Sequence, residues 1–355
     1  MPQTARSLPV YSGAPVDTLQ RPLGDVRLSV TDRCNFRCGY CMPAEVFGPD
    51  FAFLPRAELL TFEEIAVVAR EMVALGARTL RITGGEPLVR RDLERLIALL
   101  RSLDASEELC GEPLDLALTT NGSLLAGLAP PLRAAGLDRI TVSLDSLDPA
   151  TFTRMSGSAL PLDRVLEGIE AATAAGFTKI KLNAVIRRGV NDAEIPALVE
   201  FARANGHTLR MIEYMDVGTT NGWRLDEVLA ASEIVARIQA LHPIEPIAPS
   251  RPGEVARRYR YLDGGGEIGL ISSVSAPFCG DCTRARVSAD GHLYTCLFAS
   301  EGSDLKHYLR PTIDADGLRE SLRARWAARD DRYSELRDAE TSSRLPRVEM
   351  FRVGG

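Results

Sequence analysis

No stretch of this chain is apolar for the roughly 20 residues that a membrane span requires, and Met1 to Gln20 lacks the basic-then-apolar pattern of an export signal. Membrane insertion and export are not expected, so residues 1–20 read as a partly ordered leader on a cytoplasmic protein. Histidine is scarce as well. Four are present and none lies in the first 200 residues, which withholds a common nitrogen ligand from any metal site there. Excess positive charge is also missing. The net charge of -6 argues against a general nucleic-acid surface, but it allows a few Lys and Arg side chains to gather around a small anion.

What is present is ordinary globular composition, 45% hydrophobic and 25% charged, in a chain long enough for one large α/β domain or a domain with an appendage. From about residue 24 to 214, strand-like and helix-like runs alternate. Short runs rich in Val, Ile, Leu and Thr predict strands over Asp25 to Val30, Thr79 to Thr83, Leu114 to Thr119, Arg139 to Leu144, Lys179 to Ile186 and Thr208 to Tyr214. Between them, apolar residues three and four apart predict helices over Phe62 to Leu75, Leu93 to Leu103, Leu124 to Ala135, Leu162 to Ala175 and Ile195 to Ala204. Gly76, Gly136, Gly176 and Gly206 each follow a helix and precede a strand, as left-handed caps do.

This alternation implies a parallel sheet, either an incomplete barrel or an open doubly wound sheet. In both, ligands are expected at the C-terminal strand ends. Those ends carry Thr83-Gly84-Gly85-Glu86-Pro87, Thr119-Thr120-Asn121-Gly122, Ser143-Leu144-Asp145 and Tyr214-Met215-Asp216. After about residue 217 the pattern breaks into shorter strand-like pieces and an Arg-rich helix, Leu318 to Arg329. The expected division is therefore 1–20, 21–216 and 217–355.

Seven cysteines without an export signal make disulfides a poor account. Six form two groups of three. Cys34, Cys38 and Cys41 occupy one loop after the first strand, where they can converge on one metal centre. A cubane iron–sulfur cluster has four irons, so three thiolates leave one iron open as a reaction site. A zinc site completed by Asp or a distant His is the alternative. In the second group, Asp290-Gly291 is a hairpin signal that would return Cys296 to Cys279 and Cys282. A second cluster with an open iron and a zinc site using His292 both remain available there. Cys110, among Glu107, Glu108, Gly111 and Pro113, reads as a free thiol in a loop, without a role.

The Cys-x3-Cys-x2-Cys spacing, with Tyr40 before its last cysteine, resembles the signature of the radical S-adenosylmethionine superfamily, and Gly84-Gly85-Glu86-Pro87 is similar to that superfamily's loop for the methionine amino group. Cys279-Gly280-Asp281-Cys282-Thr283-Arg284-Ala285-Arg286, Met215-Asp216-Val217-Gly218 and the terminal Gly354-Gly355 narrow the resemblance to the GTP 3',8-cyclase family of molybdenum cofactor biosynthesis. It spans nearly the whole chain. It implies an incomplete (β/α)6 barrel with a smaller C-terminal α+β region closing the open side, S-adenosylmethionine, and two [4Fe-4S] clusters, one held by Cys34, Cys38 and Cys41 and the other by Cys279, Cys282 and Cys296.

The resemblance further implies that a 5'-deoxyadenosyl radical removes hydrogen from ribose C3' of GTP and that the carbon radical attacks C8 of guanine. Tyr40, Gly85, Ser143 and Met215 match contacts to S-adenosylmethionine. Arg27, Arg81, Thr119, Lys181, Arg284, Ala285 and Arg286 match contacts to GTP, with Arg284 and Arg286 expected to be catalytic. Independently, Arg27, Arg81 and Lys181 lie on predicted interior strands, where a cation is costly unless an anion pairs with it. At Thr79 the chain departs from a basic residue common in the family, and Arg78 is the nearest cation. An electron-donor protein and the next pathway enzyme, cyclic pyranopterin monophosphate synthase, are the implied partners, with a homodimer allowed and no nucleic acid or membrane. The competing readings are a peptide-modifying radical enzyme and a non-catalytic iron–sulfur or zinc protein.

Overall fold

The structure is a computed structural model describing residues 14–105, 109, 111–337 and 347–354. Residues 1–13 of the expected leader, Cys110 and Gly355 lie outside the described residues. Six parallel strands form the frame in chain order: β1 (Asp25–Ser29), β2 (Thr79–Thr83), β3 (Asp115–Thr120), β4 (Arg139–Ser143), β5 (Lys181–Ile186) and β6 (Thr208–Glu213). They do not close on themselves. The free edge of β6 pairs in parallel with β9 (Glu267–Ile271), and that of β1 with β10 (Arg284–Val287). Antiparallel β8 (Arg257–Tyr261) and β7 (Ile244–Ile247) continue one side, and β11 (His292–Tyr294) and β12 (Ser303–Asp304) the other. The result is an incomplete (β/α)6 barrel whose C-terminal region lengthens both edges of one sheet.

Helices cover the outer face: α1 (Phe62–Ala74), α2 (Leu93–Arg101), α3 (Leu125–Ala134), then α4 (Pro149–Ser156) and α5 (Asp163–Ala174), and finally α6 (Ile195–Ala204). The expected strands and helices occur with ends shifted by a residue or two, and α4 is additional. Its signals are local: the Asp148 carboxylate accepts from the Thr151 amide at 2.8 Å, Pro149 opens the helix, and Gly157 ends it in the left-handed region with φ 54°. The four anticipated cap glycines all have positive φ, from 68° at Gly206 to 112° at Gly76.

Because side chains alternate along a strand, each strand presents one chemistry outward and another inward. Val26 and Leu28, Leu80 and Ile82, Leu116 and Leu118, Ile140 and Val142 are buried beneath the helices. Asp25, Arg27, Arg81, Asp115, Thr119, Arg139, Lys181 and Arg210 line an interior cavity instead. The apolar core is continuous across both halves of the chain, since Leu80 and Leu182 share it with Leu270, Ala285 and Leu322. Ile82→Ala, which empties a fully buried position of that core, should cost about 2–5 kcal/mol, read as an earlier unfolding midpoint in urea.

Candidate active site

The cavity inside the barrel has a volume of about 510 Å³, and both cysteine groups line it. Cys34, Cys38 and Cys41 follow β1 and stand at the C-terminal mouth. The loop holding them is braced by Arg37, whose guanidinium donates to the carbonyls of Cys34 at 2.7 Å, Phe36 at 2.8 Å and Phe47 at 2.7 Å. Gly84 and Gly85 press against it, with the Gly85 amide donating to Thr31 O at 2.8 Å and the Glu86 amide to Arg33 O at 2.8 Å. A Cβ on Gly85 would overlap the Arg33 carbonyl. These glycines are therefore required first by the close approach of two loops. The Glu86 carboxylate, 1% exposed, is taken up by protein donors: Leu88 N at 3.0 Å, Thr120 Oγ1 at 2.7 Å and Asn121 N at 2.7 Å. These bonds brace the loop.

The second group stands at the opposite mouth. Cys279 and Cys282 precede β10, whose first residue Arg284 is in register with Asp25 at the start of β1. The turn at Asp290-Gly291, with φ 83° at Gly291, returns β11 antiparallel to β10, so Cys296 comes back to the same end. The expectation that ligand groups sit only at the C-terminal strand ends is thus corrected, because β10 enters the sheet from outside the six repeated units and brings its preceding loop to their N-terminal ends. His292 does not line the cavity and its Nδ1 lies 3.3 Å from Asp290. No three Cys, His, Asp or Glu side chains among the described residues gather closely enough for a single metal ion, so neither zinc alternative has its ligand set.

The six thiols are free and half-buried. Burial pushes Cys34 up to about 12, and Cys38 and Cys41 upward too, so as bare thiols they are protonated. Burial also raises Cys282, but Arg284 and Arg329 outweigh it and bring that thiol down to about 6. Thiolates gathered at a cavity mouth need a cationic partner. Two groups of three thiols lining one cavity fit [4Fe-4S] centres, each of which would keep one iron without a protein ligand.

Between the mouths, Arg27, Arg81 and Arg286 stand side by side in one register layer, flanked by Lys181, Arg210 and Arg284. Among the described residues, none of these six has a carboxylate within ion-pair distance. Nε of Arg27, Arg210 and Arg284 has no hydrogen-bond partner. Burial and neighbouring cations pull Arg81 and Arg210 down to about 9 and Lys181 to about 7. Arg81 donates to Thr119 Oγ1 at 3.1 Å. The carbonyl of Gly354 reaches this layer, accepting from Arg27 at 3.4 Å and from Arg286.

Every residue expected at the site lines the cavity except Ala285, which is on the outer face of β10 and fully buried in the core. Tyr40, Gly85, Ser143 and Met215 lie toward the first cysteine group, and the Tyr40 hydroxyl donates to Asp145 at 2.7 Å. Five cavity cations were not anticipated: Arg139, Lys179, Arg210, Arg251 and Arg329. Arg210 was within reach, since it is an interior cation on β6 like Arg81 on β2. Arg251 was not, being on a loop without pattern. It supplies the cation at the Thr79 corner, donating to Thr79 Oγ1 at 2.9 Å and to Asp25 at 3.1 Å, whereas Arg78 turns to the carbonyls of Val73 and Ala77.

Comparison with known proteins agrees with this geometry. The family model of the radical SAM superfamily matches residues 28–202, and that of Molybdenum Cofactor Synthesis C matches 207–335. Streptococcus suis SuiB bound to S-adenosylmethionine shares the fold, with a TM-score of 0.56 at 14% identity over 86% of this chain and 68% of its own. The chain is a radical S-adenosylmethionine enzyme. It is also 54% identical to the GTP 3',8-cyclase of Acidothermus cellulolyticus, over 96% of this chain and 98% of that one, and 46% identical to that of Staphylococcus aureus strain JH9 over the same shares. It therefore belongs to the GTP 3',8-cyclase family of molybdenum cofactor biosynthesis, enzymes with two [4Fe-4S] clusters that act on a nucleotide. Among the described residues no helix is long and apolar enough to cross a membrane.

Gly85→Ala should displace the Cys34 to Cys41 loop and lower reconstituted iron while leaving the second centre's electron paramagnetic resonance signal. Unchanged iron content in this variant would contradict the tight approach described.

Proposed function

We propose that the family's reaction, conversion of GTP to (8S)-3',8-cyclo-7,8-dihydroguanosine 5'-triphosphate, takes place in the barrel cavity between the two cysteine groups. Cys34, Cys38 and Cys41 hold one [4Fe-4S] cluster and Cys279, Cys282 and Cys296 the other. Together with S-adenosylmethionine, the first cluster supplies hydrogen-abstracting radical chemistry when bound. Tyr40, Gly85, Ser143 and Met215 position S-adenosylmethionine at the C-terminal mouth, with Tyr40 fixed by Asp145. Arg27, Arg81, Lys181, Arg210 and Arg251 hold the triphosphate, and Thr119, bonded to Arg81, faces the sugar. Arg284 and Arg286 act beside the second cysteine group, where the purine binds. The Ala285 side chain has no part in this.

The observation that carries the reading is the set of six cavity cations, Arg81 and Arg286 buried and Arg27, Lys181, Arg210 and Arg284 half-buried, without carboxylate partners. A buried charge costs several kcal/mol unless compensated, and a triphosphate is an anion of the required charge and of a size the cavity admits. In this reading residues 21–216 form the radical unit and 217–355 the substrate-cluster unit, the electron comes from a separate donor protein, and the product passes to cyclic pyranopterin monophosphate synthase. The enzyme works in the cytoplasm, with a homodimer as its proposed assembly. The deciding experiment is isotope tracing: label at ribose C3' of GTP should appear in 5'-deoxyadenosine formed by reduced, oxygen-free protein. Formation of unlabelled 5'-deoxyadenosine at the same rate with and without GTP would end the proposal.

Two further outcomes follow from the charges. With Lys181 pushed down to about 7 by burial and the neighbouring arginines, bound triphosphate favours its charged form, so binding takes up a proton above that pH. GTP affinity should be fully supported by Lys181 below pH 7 and fall as the pH rises through 7 towards 9, and calorimetry in buffers of different ionisation enthalpy should register the uptake. Arg251→Ala removes a cation and leaves the Asp25 carboxylate facing the phosphates. A charge-assisted contact is worth about 1.5–3 kcal/mol, so GTP should bind about ten- to a hundredfold more weakly while guanosine binding changes little.

A further inference from the structure

The segment expected to be a leader is built into the second cysteine group. Asp17, Arg21 and Arg329 are all but inaccessible, with side chains no more than 2% exposed. The Asp17 carboxylate accepts from Arg21 Nε at 2.5 Å and from Arg329 Nη1 at 3.0 Å, so one anion fixes two guanidinium groups. Each then reaches the backbone that carries the thiols. Arg21 donates to the Cys279 carbonyl at 2.6 Å, and Arg329 donates to the carbonyls of Cys282 at 2.8 Å and Thr295, the neighbour of Cys296, at 3.1 Å. Trp326 seals the arrangement: its ring lies under Arg329 at 4.8 Å and its Nε1 donates to Arg21 O at 3.0 Å.

We infer that Asp17, Arg21 and Arg329 are positioning residues for the second iron–sulfur centre, clamping the backbone at all three of its cysteine sites and setting the charge beside it. This rests on the assignment of Cys279, Cys282 and Cys296 to a cluster. The three cysteines come from two separate loops; the pairing of Arg286 with Tyr294 brings Cys296 back beside the Cys279 to Cys282 turn, and the common anchor holds the two loops beyond the last paired residues. A guanidinium can donate to two carbonyls at once because its donors form a rigid fork, which an ammonium cannot reproduce. Arg329 also lies 3.3 Å from the Asp331 carboxylate, so the set holds two anions and two cations, and removing one anion favours the reduced, more negative state of a cluster.

The test uses full-length, anaerobically reconstituted Arg329→Met, Arg329→Lys and Asp17→Asn variants, read by iron content, the paramagnetic resonance signal of each centre and redox titration of the second. Arg329→Met should lose the iron of one cluster while the signal of the Cys34, Cys38 and Cys41 centre persists. Arg329→Lys and Asp17→Asn should keep iron but alter the second centre's signal, and Asp17→Asn should shift its midpoint potential. If the unsubstituted protein carries one cluster only, the assignment beneath the inference fails. If it carries two and all three variants match it in iron, signal and potential, the inference itself is wrong. Loss of both centres together in all three variants would also overturn it, by making the set an element of the fold at large.

Discussion

The unpaired positive charge inside the barrel is the constraint on which the rest of the molecule depends. A sheet covered by helices ordinarily fills its inner face with branched apolar side chains. Here that face carries Arg27, Arg81, Lys181, Arg210, Arg284 and Arg286, and stability has to come from the outer face and the helices packed on it. The protein's own groups reconcile the cavity only in part: threonine hydroxyls on Arg81 and Arg210, Arg139 paired with Asp115, and the Gly354 carbonyl between Arg27 and Arg286. None neutralises the layer, and a ligand of high negative charge does so directly.

The arrangement of the mouths follows from topology. Six repeated units bring one loop, after β1, to the top of the barrel. A site at the bottom needs a strand that arrives parallel to the others but is preceded by its own functional loop, and β10 supplies it. The C-terminal region is therefore part of the same sheet and core rather than a lid laid over a finished domain.

Much of this was legible in the residues. The strand and helix runs, the cap glycines and the cysteine spacings are local signals, and local signals survive without knowledge of the fold. The interior cations Arg27, Arg81 and Lys181 stood out because a strand has little reason to carry them otherwise, and Arg210 obeys the same rule. Placement at the bottom mouth was not legible, because it depends on which edge of the sheet β10 chooses. Nor were Arg251, whose loop has no period, or Asp17, which read as part of a tail until Arg329, more than 300 residues away in sequence, is brought beside it.

The alternation of the strands has a consequence for how this enzyme can change. Slipping a strand by one residue exchanges its two faces; in β1 or β2 that would drive arginines under the helices and turn Val26 or Leu80 toward the nucleotide. A single inserted residue would thus ruin folding and chemistry at one stroke, with no intermediate in which one is kept at the expense of the other. An added residue should be tolerated in the helix-side connections, where a turn absorbs it and the count along each strand stays intact.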